Sequence, residues 1–259
     1  MPKIDEHGVE WFNEGDLAQF RGCADEPNFD RFVEGFGGCR FNTLHPNPKV
    51  QNADYIFERD KILIELKTLE TEVGNTVQFR EKMTVLNRRM YAKHGKTPLD
   101  LDPFVTADYL KSFMDLYRPP LARIAKKANT QIKTTKTIFG YQDYKGILLI
   151  INDGLKELPP RFILATLGRI LNGSCSSIRA LIYLTNHYVV IPGDEYARVL
   201  WIPLYADEND DELVSFVNRL GKRWFDYCEE MGQPSDDRQA GPDISIVGSR
   251  AAGSKFPIA

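Results

Sequence analysis

The stretch NADYIFERDKILIELKTLE, residues 52–70, decides the fold. Two runs within it, ADYIF and ILIEL, are rich in Ile, Leu, Tyr and Phe and read as β-strands joined tightly enough for a hairpin. Each carries charge where a buried strand should carry none. Side chains alternate across a strand, so Leu63, Glu65 and Lys67 share one face while Ile62, Ile64 and Leu66 share the other. With Arg59 and Asp60 as the turn, Glu58 pairs with Lys61, and continuing the ladder sets Asp54 directly opposite Glu65. Arg-Asp is not a favoured two-residue turn, and a bulge there would shift the register by one.

Directly paired residues hold their Cβ atoms about 5 Å apart on one face. Two carboxylates at that distance repel, and their burial is costly unless a cation lies between them. Oxygen-only ligands of this kind suit Mg²⁺, which takes one or two carboxylates and keeps waters for phosphate oxygens. The Lys67 ammonium beside them would orient or help deprotonate an attacking water, or stabilise negative charge developing on phosphorus. The competing reading is plainer: a Glu65–Lys67 salt bridge on a half-exposed strand, with Asp54 merely opening its own strand.

Outward from the hairpin, Phe29, Phe32, Val33 and Phe36 recur at helical spacing and end at Gly37 and Gly38, and CRFNTL (39–44) reads as a further strand. Downstream, PPLARIAKKANTQIKTTKTIFG predicts a helix from Pro120 to the residues before Gly140, with Leu121, Ile124, Ala125, Ala128 and Ile132 as its apolar stripe. GILLIIND is a continuous apolar run suited to a strand buried on both faces. A helix near PPRFILATLGRIL, strands near IRALIYL and VLWIPLY, and a helix from Asp211 to about Glu230 follow. The order is α, three strands, α, strand, α, strand. Between the Glu65 strand and the Pro120 helix lies a basic insertion, residues 71–118, with helical patterns of its own.

Taken together, Ala53-Asp54, ten intervening residues and then Glu65-Leu66-Lys67, set on strands and followed by a helix, resemble the PD-(D/E)XK or restriction endonuclease-like nucleases. The resemblance covers roughly residues 27–67 and 119–152. It implies an α/β fold with an αβββαβ core: a mixed sheet flanked by helices, here carrying the helical insertion. It implies that Asp54 and Glu65 bind Mg²⁺ or Mn²⁺ and that Lys67 is the catalytic lysine. Members of this superfamily often add a polar residue from the next helix, which points to Gln131, on the flank of the apolar stripe in one row with Lys127 and Thr135. A solvated helix flank is the equal alternative for Gln131. Some relatives place a tyrosine where this chain has Thr135. An acid from the first helix would be Glu34, whose position opposite the apolar stripe reads better as solvated.

The whole chain has a formal net charge of -3, so any attraction for a polyanion must be local. It is: residues 77–139 hold 13 Lys or Arg against five acids, a net of 13 - 5 = +8, while residues 207–230 hold three bases against eight acids, a net of -5. A basic insertion and helix after the hairpin fit a groove that follows phosphates, with Arg88, Arg89, Lys127 and Lys133 as contacts and Phe79 and Tyr91 at hand.

No run approaches the length of a membrane span, and the acidic first residues lack the apolar core of a signal peptide, so a cytoplasmic protein without membrane partners is expected. Cys23, Cys39, Cys175 and Cys228 show no metal or redox spacing and read as small buried thiols. The histidines form no zinc motif, and GxxxxGK[ST], GxGxxG and GxSxG are missing. Residues 1–231 read as one domain, and 232–259, rich in Gly, Pro, Ser and Asp, as a flexible tail.

The expectation is a metal-dependent nuclease acting on nucleic acid, with DNA and a setting in bacterial defence or DNA processing implied by the resemblance. Cutting both strands would favour a homodimer or a partner subunit. The alternative is a catalytically inactive nucleic-acid-binding or protein-interaction module of the same fold, docking through the acidic helix at 211–230.

Overall fold

Side-chain alternation builds a hairpin whose strands stand second and third in a six-stranded sheet, and a computed structural model shows how the rest assembles on it. The structure describes residues 14–46, 49–70, 76–95, 103–194, 196–233, 246 and 248–254. Strands β2 (Tyr55–Phe57) and β3 (Ile62–Leu69) pair antiparallel as Tyr55↔Ile64, Ile56↔Leu63 and Phe57↔Ile62, the expected register. The unfavourable Arg-Asp turn is accommodated by Lys61, which takes a left-handed conformation at φ 55°. That one strained residue absorbs the turn and leaves the ladder unshifted.

Helix α1 (Glu14–Gln19) precedes α2 (Glu26–Phe36), which is capped by Asp25 at one end and by left-handed Gly37 at the other. The expected strand at 39–44 is cut short. Only β1 (Cys39–Arg40) pairs with β2, and the chain then turns through α3 (Phe41–Leu44) because buried Phe41 packs edge-on against Phe139, 5.0 Å between ring centres.

Beyond β3 come α4 (Val77–His94), α5 (Pro103–Phe139), β4 (Lys145–Asn152), α6 (Pro160–Ser174) and β5 (Ile178–Thr185). Strand β4 is buried along seven of its eight residues between parallel neighbours β3 and β5, as its unbroken apolar run requires. Both crossovers step the same way along the sheet, so right-handed connections put α5 and α6 on one face. They cover Leu63, Leu148, Ile150, Leu181 and Tyr183. Strand β6 (Val189–Val190) follows β5; β7 (Trp201–Tyr205) then closes the far edge antiparallel to β5. Helix α7 (Asp211–Glu230) lies with α2 on the other face over Ile62, Ile64, Ile147, Leu149 and Ile182. The protein is thus α/β, with a mixed six-stranded sheet flanked by helices. No helix among the described residues is long and apolar enough to cross a membrane.

Three further expectations change. The helix expected to start at Pro120 begins at Pro103 and runs 37 residues with Pro119 and Pro120 inside it. Each proline lacks the N–H for an i−4 bond, yet Phe113, Tyr117, Leu121, Ala125, Ala128 and Ile132 keep one buried phase through the interruption, and that packing carries the helix across. The expected tail contributes structure: β8 (Arg250–Ala251) pairs with β6, and Ala251 and Ala252 are buried, while residues 234–245 and 255–259 lie outside those described. Among the cysteines only Cys175 is buried; the other three are half-buried.

Candidate functional site

Asp54 enters the site one residue before β2. Its backbone N–H donates to the Ile64 carbonyl at 3.1 Å, and its Oδ2 accepts the Leu66 N–H at 2.8 Å, so the carboxylate is pinned against the neighbouring strand. One lone-pair edge, Oδ1, is left for other work. Glu65 stands across the ladder with 0% exposure. Its Oε1 accepts from Lys67 Nζ, while its Oε2 is buried with no hydrogen-bond partner. The Lys67 side chain is 21% exposed and reaches the edge of the same face. Hence the ion pair of the plainer reading exists, but on a fully buried carboxylate, where desolvation makes it poor value for stability.

The electrostatics follow from that burial. Desolvation raises the Asp54 carboxyl above its usual range, with Lys67 and the Leu66 N–H opposing. Glu65 is pushed up to about 8, first by burial and then by the Asp54 carboxylate, against the pull of Lys67 and Lys127. Two neighbouring acids that both resist ionisation, one with an orphaned oxygen, have the chemistry to accept a cation between them. Among the described residues no group of three His, Cys, Asp or Glu side chains gathers to hold a metal. Two carboxylates, with water and phosphate oxygens filling the remaining positions, fit Mg²⁺ or Mn²⁺ better than a closed structural site.

Gln131 on α5 is buried rather than solvated, at 8% exposure. Its Nε2 donates to the Asn52 carbonyl at 3.1 Å and its Oε1 has no partner. One turn on, the Thr135 hydroxyl accepts the Ala53 N–H at 2.8 Å and donates to the Gln131 carbonyl at 2.9 Å. Helix α5 therefore grips the two residues that lead into Asp54. The sequence sets Thr135 in one row with Gln131 and Lys127, but its bond to Ala53 is not legible there because that partner lies 82 residues away.

A second network, missed in the sequence, surrounds Arg40. Its Nε donates to Asp30 at 2.8 Å, its Nη2 donates to Glu26, and the Tyr55 hydroxyl donates to Asp30 at 2.9 Å. The charges of Glu26 and Arg40 both reach Asp54. Glu34, the acid expected from this helix, is exposed.

The expected nucleic-acid contacts separate. Lys127 is exposed, and its charge is felt at Glu65. Lys133 is exposed but lies about 160° around α5 from Gln131. Arg88 and Arg89 are exposed on α4, which packs along the first half of α5; Arg89 lines a cavity of about 370 Å³ with Lys93, Asp108 and Lys111. At 1.5 Å per residue, Asp108 is about 35 Å along α5 from Gln131, so these two arginines stand well away from Glu65. Phe79 is not available for contact: it is buried against Tyr117, 4.8 Å between ring centres, whereas Tyr91 is 61% exposed.

Compared with protein-family models, with curated proteins and with solved structures, the chain matches none.

Proposed function

We propose that the protein is a metal-dependent nuclease with a restriction endonuclease-like core of PD-(D/E)XK type, hydrolysing phosphodiester bonds, with DNA as substrate. The observation that carries this reading is the convergence of Asp54, Glu65 and Lys67 on one face of the hairpin, with a Glu65 oxygen buried and unpartnered.

Asp54 Oδ1 and Glu65 Oε2 would hold Mg²⁺ or Mn²⁺. Such an ion supplies Lewis acidity toward phosphate oxygens. The Lys67 ammonium directs Nζ at the water or at a non-bridging oxygen, where negative charge grows as the water oxygen bonds to phosphorus and the ester oxygen leaves. The attacking water releases a proton to solvent as its oxygen bonds to phosphorus, and the leaving oxygen takes one up from solvent. Gln131 and Thr135 are positioning residues that hold Asn52 and Ala53, and Lys127 attracts the phosphate.

A docking role for α7 has less support. Its apolar residues Leu213, Phe216, Leu220 and Trp224 are buried against the sheet, and Glu212 and Glu230 pair with Lys145 and Arg223.

The test is cleavage of supercoiled plasmid and of single-stranded DNA with Mg²⁺ or Mn²⁺ by wild type, Glu65→Ala and Lys67→Ala. Metal-dependent cutting lost in both variants supports the reading. No cutting by wild type with either metal, while DNA is still bound, moves the assignment to a binding module.

A further inference from the structure

Helix α5 carries a row of cations that the site does not use. At 100° per residue, Lys111, Arg118, Lys126, Lys133 and Lys136 fall within about 80° of one another. The row spans 25 residues, or about 38 Å, and keeps its phase through the two prolines because the buried stripe does. The first four are exposed and Lys136 is half-buried. None of the five makes an ion pair among the described residues. Asp115 is the one acid inside the row, and Asp108 beyond its end is occupied by Lys93 and His94.

The row sits on the flank of α5 opposite Gln131. Asn129, in the same row, accepts the Ser177 N–H at 2.9 Å, which sets the turn before β5 alongside it. Just past that turn Arg179 stands exposed on β5; burial first, and then the Arg179 charge, lower the affinity of Lys136 for its proton. Two like charges this near, one of them a half-buried ammonium, oppose each other in the free protein. A polyanion lying along the row would relieve that repulsion.

We propose that this flank of α5, with Arg179, is a second nucleic-acid-binding face, separate from the hydrolytic site, which takes the phosphate backbone of duplex DNA. Charge complementarity argues for a polyanion, and length argues for a duplex: the row matches about one turn of B-DNA, 34–36 Å. Single-strand binders add aromatic platforms for unstacked bases. Here the positions interleaved in the row are Asp115, Ala122 and Asn129, with no aromatic among them. Contacts of this kind go to backbone phosphates and carry no base readout.

The test is fluorescence anisotropy of a labelled 30-base-pair duplex (about three turns) with the full chain in EDTA, where hydrolysis does not intervene. Three proteins are compared: wild type, Lys126→Glu with Lys133→Glu, and a control of equal charge change on the opposite layer, Arg31→Glu with Lys222→Glu. The expected result is a loss of affinity of about tenfold or more in the first variant, with its log–log salt slope smaller by about two, and less than about threefold loss in the control. Equal weakening in both variants, unchanged affinity in the first, or no binding by wild type would overturn the proposal. Because the assay reads binding alone, the face can hold while the nuclease reading fails, and the reverse.

Discussion

The Thr135 hydroxyl on α5 accepts the Ala53 N–H at 2.8 Å, one residue before Asp54. Both groups are fully buried. Thr135→Val keeps the shape, leaves that N–H without an acceptor, and is expected to cost about 1–3 kcal/mol of stability. Because Ala53, the residue leading into Asp54, loses its anchor on α5, the cleavage rate at saturating DNA should fall while DNA affinity stays within about threefold, since phosphate contacts elsewhere are untouched. Thr135→Ser restores the acceptor and should restore the rate. A Thr135→Val protein that loses stability but cuts at the wild-type rate would limit Thr135 to a structural role.

Glu65 makes metal-free stability depend on pH. Folded, its carboxyl holds a proton up to about pH 8; unfolded, it ionises near 4.5. Between those values the folded state binds more protons than the unfolded state, so stability falls as pH rises. Glu65→Gln removes this liability and is expected to raise Tm at pH 8 in EDTA by a few degrees, on the order of 2–4 °C per kcal/mol for a chain of this size, with the gain vanishing near pH 4.5. Adding Mg²⁺ or Mn²⁺ should stabilise wild type but not the variant. Identical melting curves across pH, and an identical response to metal, would remove Glu65 from the metal site.

Cys23 and Cys228 lie 205 residues apart in sequence, yet their sulfurs meet at 3.1 Å between the entry to α2 and the last turn of α7. Oxidised glutathione should convert the pair to a disulfide, taking the two electrons and two protons as it is reduced to two thiols. Closing so long a loop is expected to raise Tm, reversibly with dithiothreitol. Thiol titration should fall by two groups in wild type and by none in Cys23→Ser with Cys228→Ser. A glutathione adduct on Cys39 with Cys23 and Cys228 still reduced would contradict this.

Much of the site was legible because it is local. The period-2 pattern of residues 62–67 sets Glu65 and Lys67 on one face, and a hairpin leaves few registers to choose between. The apolar run of β4 likewise declares a strand covered on both sides. What the sequence did not disclose depends on distant partners. The continuity of α5 through Pro119 and Pro120 rests on packing that outweighs a local stop signal. Burial of Gln131 depends on Asn52, the Arg40 network depends on Glu26 and Asp30, and β8 needs Val189 and Val190 from another part of the chain.

The measurement that tests the central claim most directly is the single-turnover cleavage rate of a labelled duplex at saturating protein with Mn²⁺, for wild type and Lys67→Ala, with affinity measured separately in EDTA and folding checked by circular dichroism. The account predicts a rate lower by about 10²–10⁴ in Lys67→Ala at unchanged affinity. A Lys67→Ala rate equal to wild type, or cutting that persists in EDTA, would contradict it.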